Sequence, residues 1–442
     1  MIKNRWTPVR ILAVGFALII LAGGLLLSLP IAARDGLPTP FLNAIFTATS
    51  AVCVTGLVVY DTWTQFSFFG QAVILLLIQI GGLGFLTAMV GFFLAAHRRI
   101  GLGERAILAE SIGATQLAGI VRIMKRILLG TAIIEGTGAV CLATQFIPKF
   151  GTAHGIWFAV FHAVSSFCNA GFDLMGIVKK SSSLTLFYDN PVVIITIAML
   201  IIIGGIGFVV WNDIVECTSS GRKLSLHSRV ALLSTAILIV GGTVFFLFSE
   251  RNGLFSGMTV GDRVLSAFFQ AVTPRTAGYN SIDIAKLSEA GKACTMFLMF
   301  IGAAPGGTGG GIKVTTAAVI GASAVSAFRN GEPSLGHFRI GSDTVMRALN
   351  STSVYCVQTM IGVAILCLQG THFTDACFEC LSAIGTVGLT VGITSGLPAI
   401  SRVVLILLMY IGRIGSMSIF LAVRNKTTAP KLRDPIGKII VA

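Results

Sequence analysis

The sequence predicts an all-α membrane protein built from four parallel span–pore loop–span repeats, with eight transmembrane helices and four re-entrant half-helices around a central pore. Three observations carry that expectation. Apolar runs of membrane-crossing length recur along the chain, basic residues collect in alternate connections, and one polar interruption of the apolar pattern recurs four times at near-constant spacing.

Of 442 residues 54% are hydrophobic and only 11% are charged, too apolar a balance for a soluble globule of this length. A helix needs about 20 apolar residues to cross a hydrocarbon core of about 30 Å. Eight runs qualify, near 11–31, 68–96, 127–147, 191–211, 230–248, 294–322, 352–368 and 401–423. The first is longer than a signal-peptide core and is followed by no small-residue cleavage site, so it reads as a retained span.

The net charge of +14 could suggest a nucleic-acid partner, but the basic residues lie in short connections between spans, which excludes that class in favour of membrane topology. With the N-terminus inside, 20 Lys and Arg fall on the inner side, 10 on the outer side and 2 at membrane depth. Both termini are therefore expected in the cytoplasm. Nine cysteines, odd in number and mostly in apolar segments, read as free thiols, and Cys377 with Cys380 lacks the second ligand pair that a metal site needs.

The four interruptions read FTATSAVCVTGL (46–57), FHAVSSFCNAGF (161–172), FFQAVTPRTAGY (268–279) and FECLSAIGTVGL (378–389). In each, a Phe precedes a Gly by ten residues: Phe46 and Gly56, Phe161 and Gly171, Phe268 and Gly278, Phe378 and Gly388. The glycines are 115, 107 and 110 residues apart, room for two crossings and a connection. Two crossings per unit leave every unit pointing the same way, so the repeat axis runs along the bilayer normal, unlike the inverted repeats of rocking transporters. The units map as 1–100, 127–215, 230–328 and 352–423, joined by cytoplasmic connectors 101–126, 216–229 and 329–351 and ending in a cytoplasmic tail, 424–442.

Before each Gly lie about ten helix-compatible residues, too few to cross, so each interruption reads as a half-helix and a loop. Non-helical backbone at membrane depth survives where protein or a water-filled cavity satisfies it. A dehydrated cation needs a ring of oxygens, and extended backbone around a Gly can turn successive carbonyls to one axis. The negative C-terminal ends of four half-helices favour cations there. The expected ion-binding triplets are Val54-Thr55-Gly56, Asn169-Ala170-Gly171, Thr276-Ala277-Gly278 and Thr386-Val387-Gly388; only the last has the Thr-Val-Gly of potassium-channel filters.

A second recurrence, IGGLGF (80–85), IGGIGF (203–208), IGAAPGG (301–307) and IGRIGS (411–416), sits in each second span, where small residues let helices pack closely. In the third unit the run from Gly302 to Gly311 holds six glycines and Pro305, so that span should break at 302–313. The run superficially resembles a phosphate-binding loop, but Ile312 separates Gly311 from Lys313 and no strand precedes it. A gate beneath the loops, formed by Gly306, Gly307, Thr308, Gly309, Gly310 and Gly311, is the preferred reading. Arg413, at membrane depth, either faces the pore as a barrier to cations or pairs with Glu135 or another buried acid.

The four loops, PGGTGGGIK (305–313) and YIGRIGSMS (410–418) together resemble the TrkH/KtrB family, the membrane subunits of bacterial Ktr/Trk-type potassium transporters. Having no additional N-terminal pair of spans, the chain is more similar to the Ktr subunit than to the longer Trk subunit. The resemblance implies potassium uptake across the bacterial inner membrane, often sodium-stimulated, by a homodimer with one pore per protomer and a cytosolic nucleotide-binding ring of the KtrA kind. By motif match it makes Gly56, Gly171, Gly278 and Gly388 the filter glycines, 303–312 the gating loop and Arg413 the pore arginine.

No nucleotide signature occurs in the chain, so such regulation would reside on a partner. His97-Arg98-Arg99, Arg222-Lys223 and the tail from Arg424 to Lys438 are candidate docking or lipid-contact segments. An obligatorily coupled sodium/potassium secondary transporter is the alternative. A membrane enzyme has no catalytic constellation to support it.

Overall fold

A computed structural model describes residues 8–84, 120–329 and 331–415. His97-Arg98-Arg99, residues 101–119 of connector 101–126 and the tail from Arg424 lie outside the described residues. The described chain is helical apart from one short hairpin, and its elements follow an order that recurs four times.

The first group is α1 (Pro8–Ser28), the half-helix α2 (Phe41–Val52), a single turn α3 (Thr62–Gln65) and α4 (Phe68–Leu83). The second is α5 (Ile120–Phe150), half-helix α6 (Thr152–Phe167), α7 (Pro191–Gly205) and α8 (Phe208–Ser220). The third is α9 (Leu226–Ser249), half-helix α10 (Val260–Val272), α11 (Glu289–Phe300) and α12 (Val314–Phe328), followed by the hairpin β1 (Ser334–Leu335) and β2 (Phe338–Arg339). The fourth is α13 (Ser342–Leu368), half-helix α14 (Phe373–Gly385) and α15 (Ala399–Ile414).

The leading helix of each group is continuous, and these four, Arg10–Ser28, Val121–Phe150, Leu226–Ser249 and Ser342–Leu368, are long and apolar enough to cross a membrane. The later helices begin at caps the sequence spells out. Ser67 accepts from the Gly70 amide at 3.3 Å, Asn190 from Val192 and Val193 at 3.1 and 3.2 Å ahead of Pro191, and Ser288 from Gly291 at 3.0 Å.

The second spans depart from expectation. The run 191–211 is not one crossing helix: α7 and α8 meet at a bend of 92°. Gly207 (φ 94°) makes the bend, because a left-handed residue cannot continue a right-handed helix. The same device closes α4 at Gly84 (φ 78°) and α15 at Gly415 (φ 99°), so the helices expected over 68–96 and 401–423 end at Leu83 and Ile414, and the remainder of each run lies outside the described residues. The expected break of the third unit falls between α11 and α12.

The Ile-Gly pairs have a packing role. A Cβ on Gly81, Gly204 or Gly412 would overlap the carbonyl oxygen of Val52, Phe167 or Ile384, each at or within two residues of the C-terminal end of a half-helix. Glycine there lets the later helix lie directly against half-helix backbone. The core gathers round the half-helices, with Phe46, Phe161 and Phe378 fully buried. In the third group Phe269 takes that place and Phe268 is only half-buried. This half-helix is therefore offset by one residue, and Pro274, with no amide to donate, follows just after its end at Val272.

Candidate ion pathway

Each half-helix runs into a loop that reverses handedness twice. Val54 (φ 58°) and Gly56 (φ 93°), Asn169 (60°) and Gly171 (68°), Thr276 (74°) and Gly278 (82°), and Thr386 (51°) and Gly388 (91°) are left-handed, whereas Thr55, Ala170, Ala277 and Val387 between them are not. A regular strand points successive carbonyls to opposite sides; alternating the sign of φ turns them to the same side. Val54, Thr276 and Thr386 are β-branched, so this conformation is held at a cost that surrounding structure must offset.

Backbone bonds supply part of that hold. The amides of Thr55, Ala170 and Val387 donate to the carbonyls of Ser50, Ser165 and Ser382 at 2.8, 2.7 and 2.8 Å, and Ala277 donates to Thr273 at 3.0 Å. Hydroxyls at the same positions add a second clasp. Ser50 Oγ accepts from the Gly56 amide at 3.0 Å and Ser382 Oγ from Gly388 at 3.1 Å. Ser165 Oγ accepts from Phe172 N at 3.1 Å and donates to its carbonyl at 2.9 Å, and Thr273 Oγ1 donates to the Tyr279 carbonyl at 2.7 Å. Sequence reasoning missed these four residues. Its available signal was the Ser four places after the motif Phe in loops one, two and four; the one-residue offset of α10 moves the hydroxyl to Thr273 in the third.

The four loops close on one another in chain order. A Cβ on Gly56 would stand 2.6 Å from the Ala170 oxygen, on Gly171 2.6 Å from Ala277, and on Gly278 2.5 Å from Val387, while one on Gly388 would overlap the Thr55 oxygen. Each glycine thus abuts the carbonyl of the next loop and the fourth returns to the first. All twelve residues of the expected triplets come together in this ring, and none of them is exposed.

On one side of the ring the four glycines open into a cavity of about 150 Å³, whose wall includes Tyr60, Asp61, Asp173, Asn280 and Thr390. Burial, and then the neighbouring Asp61 charge, push the Asp173 carboxyl up to about 7. On the other side lies the segment 303–312. Its base closes through Gly302 N to the Ile312 carbonyl at 2.8 Å. Its tip meets the lowest residue of two loops: Gly310 N donates to Thr386 Oγ1 at 3.0 Å, and a Cβ on Gly309 would overlap Thr276 Oγ1. Thr276 in turn lies 3.2 Å from the Asn169 amide.

The bend between α7 and α8 now has its reason. It frees carbonyls that segment 303–312 occupies, with Ala304 N donating to Gly205 at 2.9 Å and Thr308 N to Gly204 at 3.2 Å. Phe208 N returns a bond to the Gly306 carbonyl at 3.0 Å, and Thr308 Oγ1 donates to Phe167 at 3.3 Å. Gly306 (φ 71°) and Gly311 (φ 70°) turn the segment, and Gly307 N donates to Ala304 at 3.2 Å. Lys313 holds it from below, Nζ donating to Gly309 and Gly310 at 2.7 and 3.4 Å.

Arg413, in the last turn of α15, is not paired with Glu135. Its guanidinium donates to the carbonyls of Thr308, Gly81 and, at 3.3 Å, Gly82. The charge therefore spans from α15 to α4 and to the loop tip beneath the ring. Glu135 instead accepts from Gln79 Nε2 at 3.2 Å. No group of acidic, His and Cys residues that could hold a metal occurs among the described residues.

Several helices long and apolar enough to cross a membrane define a multi-pass membrane protein. Comparison with known proteins supplies the family. The TrkH family model, described as a cation transport protein, matches residues 19–433, and the chain belongs to that family. It is 44% identical over 427 residues to a potassium/sodium uptake protein, NtpJ, of Enterococcus hirae, covering 95% of this chain and 93% of that protein. It is 38% identical over 442 residues to the Ktr system potassium uptake protein B of Bacillus subtilis, covering 98% and 97%. The fold resembles the crystal structure of the potassium transporter TrkH from Vibrio parahaemolyticus, with a TM-score of 0.76 at 17% identity over 96% of this chain and 86% of that one.

Proposed function

We propose that the chain takes up potassium ions across a bacterial inner membrane through the four-loop ring. The observation that carries this reading is the closure of Gly56, Gly171, Gly278 and Gly388 onto neighbouring carbonyls, with handedness alternating through every triplet. Such a ring replaces a hydration shell with uncharged oxygens and needs no acidic side chain. The four groups act as parallel repeats about the pore. Segment 303–312, through Gly306, Gly307, Thr308, Gly309, Gly310 and Gly311, forms the gate below it, and Arg413 adds a positive barrier fixed to the gate by the Thr308 carbonyl.

The names of the relatives from Enterococcus and Bacillus support potassium as cargo, and the former supports a part for sodium, as co-transported or stimulating ion. In this reading both termini lie in the cytoplasm, the chain pairs with a second copy, and a cytosolic nucleotide-binding ring regulates it.

The test is rubidium uptake into liposomes holding the purified protein, with sodium as competitor and Gly388→Ala as control. Uptake that potassium competes more strongly than sodium, with the preference lost in the variant, upholds the reading. Flux indifferent to ion and variant refutes it.

A further inference from the structure

A groove of about 510 Å³ lies away from the ring, where the first two turns of three helices meet: Leu226, His227 and Val230 of α9, Thr315, Thr316 and Val319 of α12, and Thr344, Arg347 and Ala348 of α13. Arg339 and Ile340 of the hairpin segment complete it. Its chemistry has two halves.

One half is electropositive. The first amides of a helix have no intrahelical acceptor and carry the positive end of its dipole. Neither Lys313 at the start of α12 nor Gly341 at the start of α13 gives a side-chain cap. The Val314 amide donates to the Ala303 carbonyl and the Thr344 amide to Gly341, while those of Thr315, Thr316, Ser342 and Asp343 have no acceptor among the described residues. Arg347 makes no hydrogen bond or ion pair with any described residue. Arg339 pairs with Glu332 at 2.5 Å, but both side chains are well exposed and such a pair contributes little. Thr315, Thr316 and Thr344 add hydroxyls, and neither Glu332 nor Asp343 lines the groove.

The other half is apolar. Leu226, Val230, Val319, Leu335, Ile340 and Ala348 are its apolar lining, and Phe338, Met346 and Leu349, each next in the chain to a lining residue, are 50%, 58% and 42% exposed. A free phosphate would use the arginines and leave this face in water. A phosphate carrying acyl chains would use both.

We propose that the groove holds the headgroup of an anionic phospholipid of the cytoplasmic leaflet, its phosphate on Arg347, Arg339 and the α12 and α13 amides, its chains along the apolar flank. The assignment to that leaflet rests on the orientation proposed above. The phosphate would sit two residues from Lys313, the residue that holds the gate segment.

The test uses the full chain in detergent incubated with equal phosphatidylglycerol and phosphatidylcholine, with bound lipid counted by native mass spectrometry. The protein should retain phosphatidylglycerol preferentially; Arg347→Ala and Arg339→Ala should each cut that retention about fivefold, and Arg347→Lys and the exposed, off-groove Arg251→Ala should not. Equal retention of the two lipids, or equal loss in the Arg251→Ala variant, overturns the site. Displacement by excess glycerol phosphate overturns the lipid and leaves a soluble-anion site. Because the readout is binding, its failure is separate from any failure of the uptake assay.

Discussion

Replacing Gly56 by alanine is the smallest change that tests the ring. The added Cβ would stand 2.6 Å from the Ala170 oxygen and 3.1 Å from the Gly171 Cα, where ordinary contact begins at 3.4 Å. Relief requires the Ala170 carbonyl to move by about 0.8 Å, because Gly171 is itself fixed against Ala277 and the displacement cannot pass freely round a closed ring. Holding alanine at φ 93° adds about 1–2 kcal/mol of strain, which the loop can shed by rotating away from that dihedral. Either route takes one carbonyl out of register with the other three. A loss of about 1.4 kcal/mol in the preference for potassium over sodium corresponds to about a tenfold fall in selectivity. Uptake of labelled rubidium into liposomes, competed separately by potassium and sodium, measures it. A variant that folds, transports and discriminates as before would refute the assignment of the first loop to the filter.

Arg413→Gln should raise potassium flux about tenfold or more, since it removes the charge proposed as the barrier while keeping amide donors for the Thr308 and Gly81 carbonyls; unchanged flux in a well-folded variant would make the arginine purely a structural tie. Asp173, at the mouth of the ring, should make uptake depend on external pH. Its carboxyl is held at about 7, so it is neutral below that pH and charged above it, and uptake should rise between pH 6 and pH 8 as a negative charge gathers cations beside the glycines. Asp173→Asn should flatten that rise, and a profile identical to the unaltered protein would exclude Asp173 as its source.

Much of the ring was legible because its constraints are local. A crossing helix declares itself by a long apolar run, and the half-helices by being too short to cross. The ring glycines could be numbered from sequence because the second left-handed residue of each loop abuts a neighbouring carbonyl and has no room for a Cβ, and that glycine recurred ten residues after a Phe four times. The clasping hydroxyls were less visible, since serine in a loop has many local uses and the third loop is offset by one residue.

What sequence determined was therefore the positions of the ring glycines and the break before Lys313. Only the tertiary structure decided the rest. IGGLGF, IGGIGF and IGRIGS look alike as packing motifs, yet only the second is seen to carry the chain on through a 92° bend between two described helices, and segment 303–312, some hundred residues later, is what donates amides to its freed carbonyls. Arg413 could not be assigned a partner from its neighbours in the chain, because carbonyls carry no residue identity and any buried acid would have served equally well. Which backbone oxygens converge on a guanidinium, or on an axis, depends on how distant helices cross, and that is settled by packing the whole bundle at once.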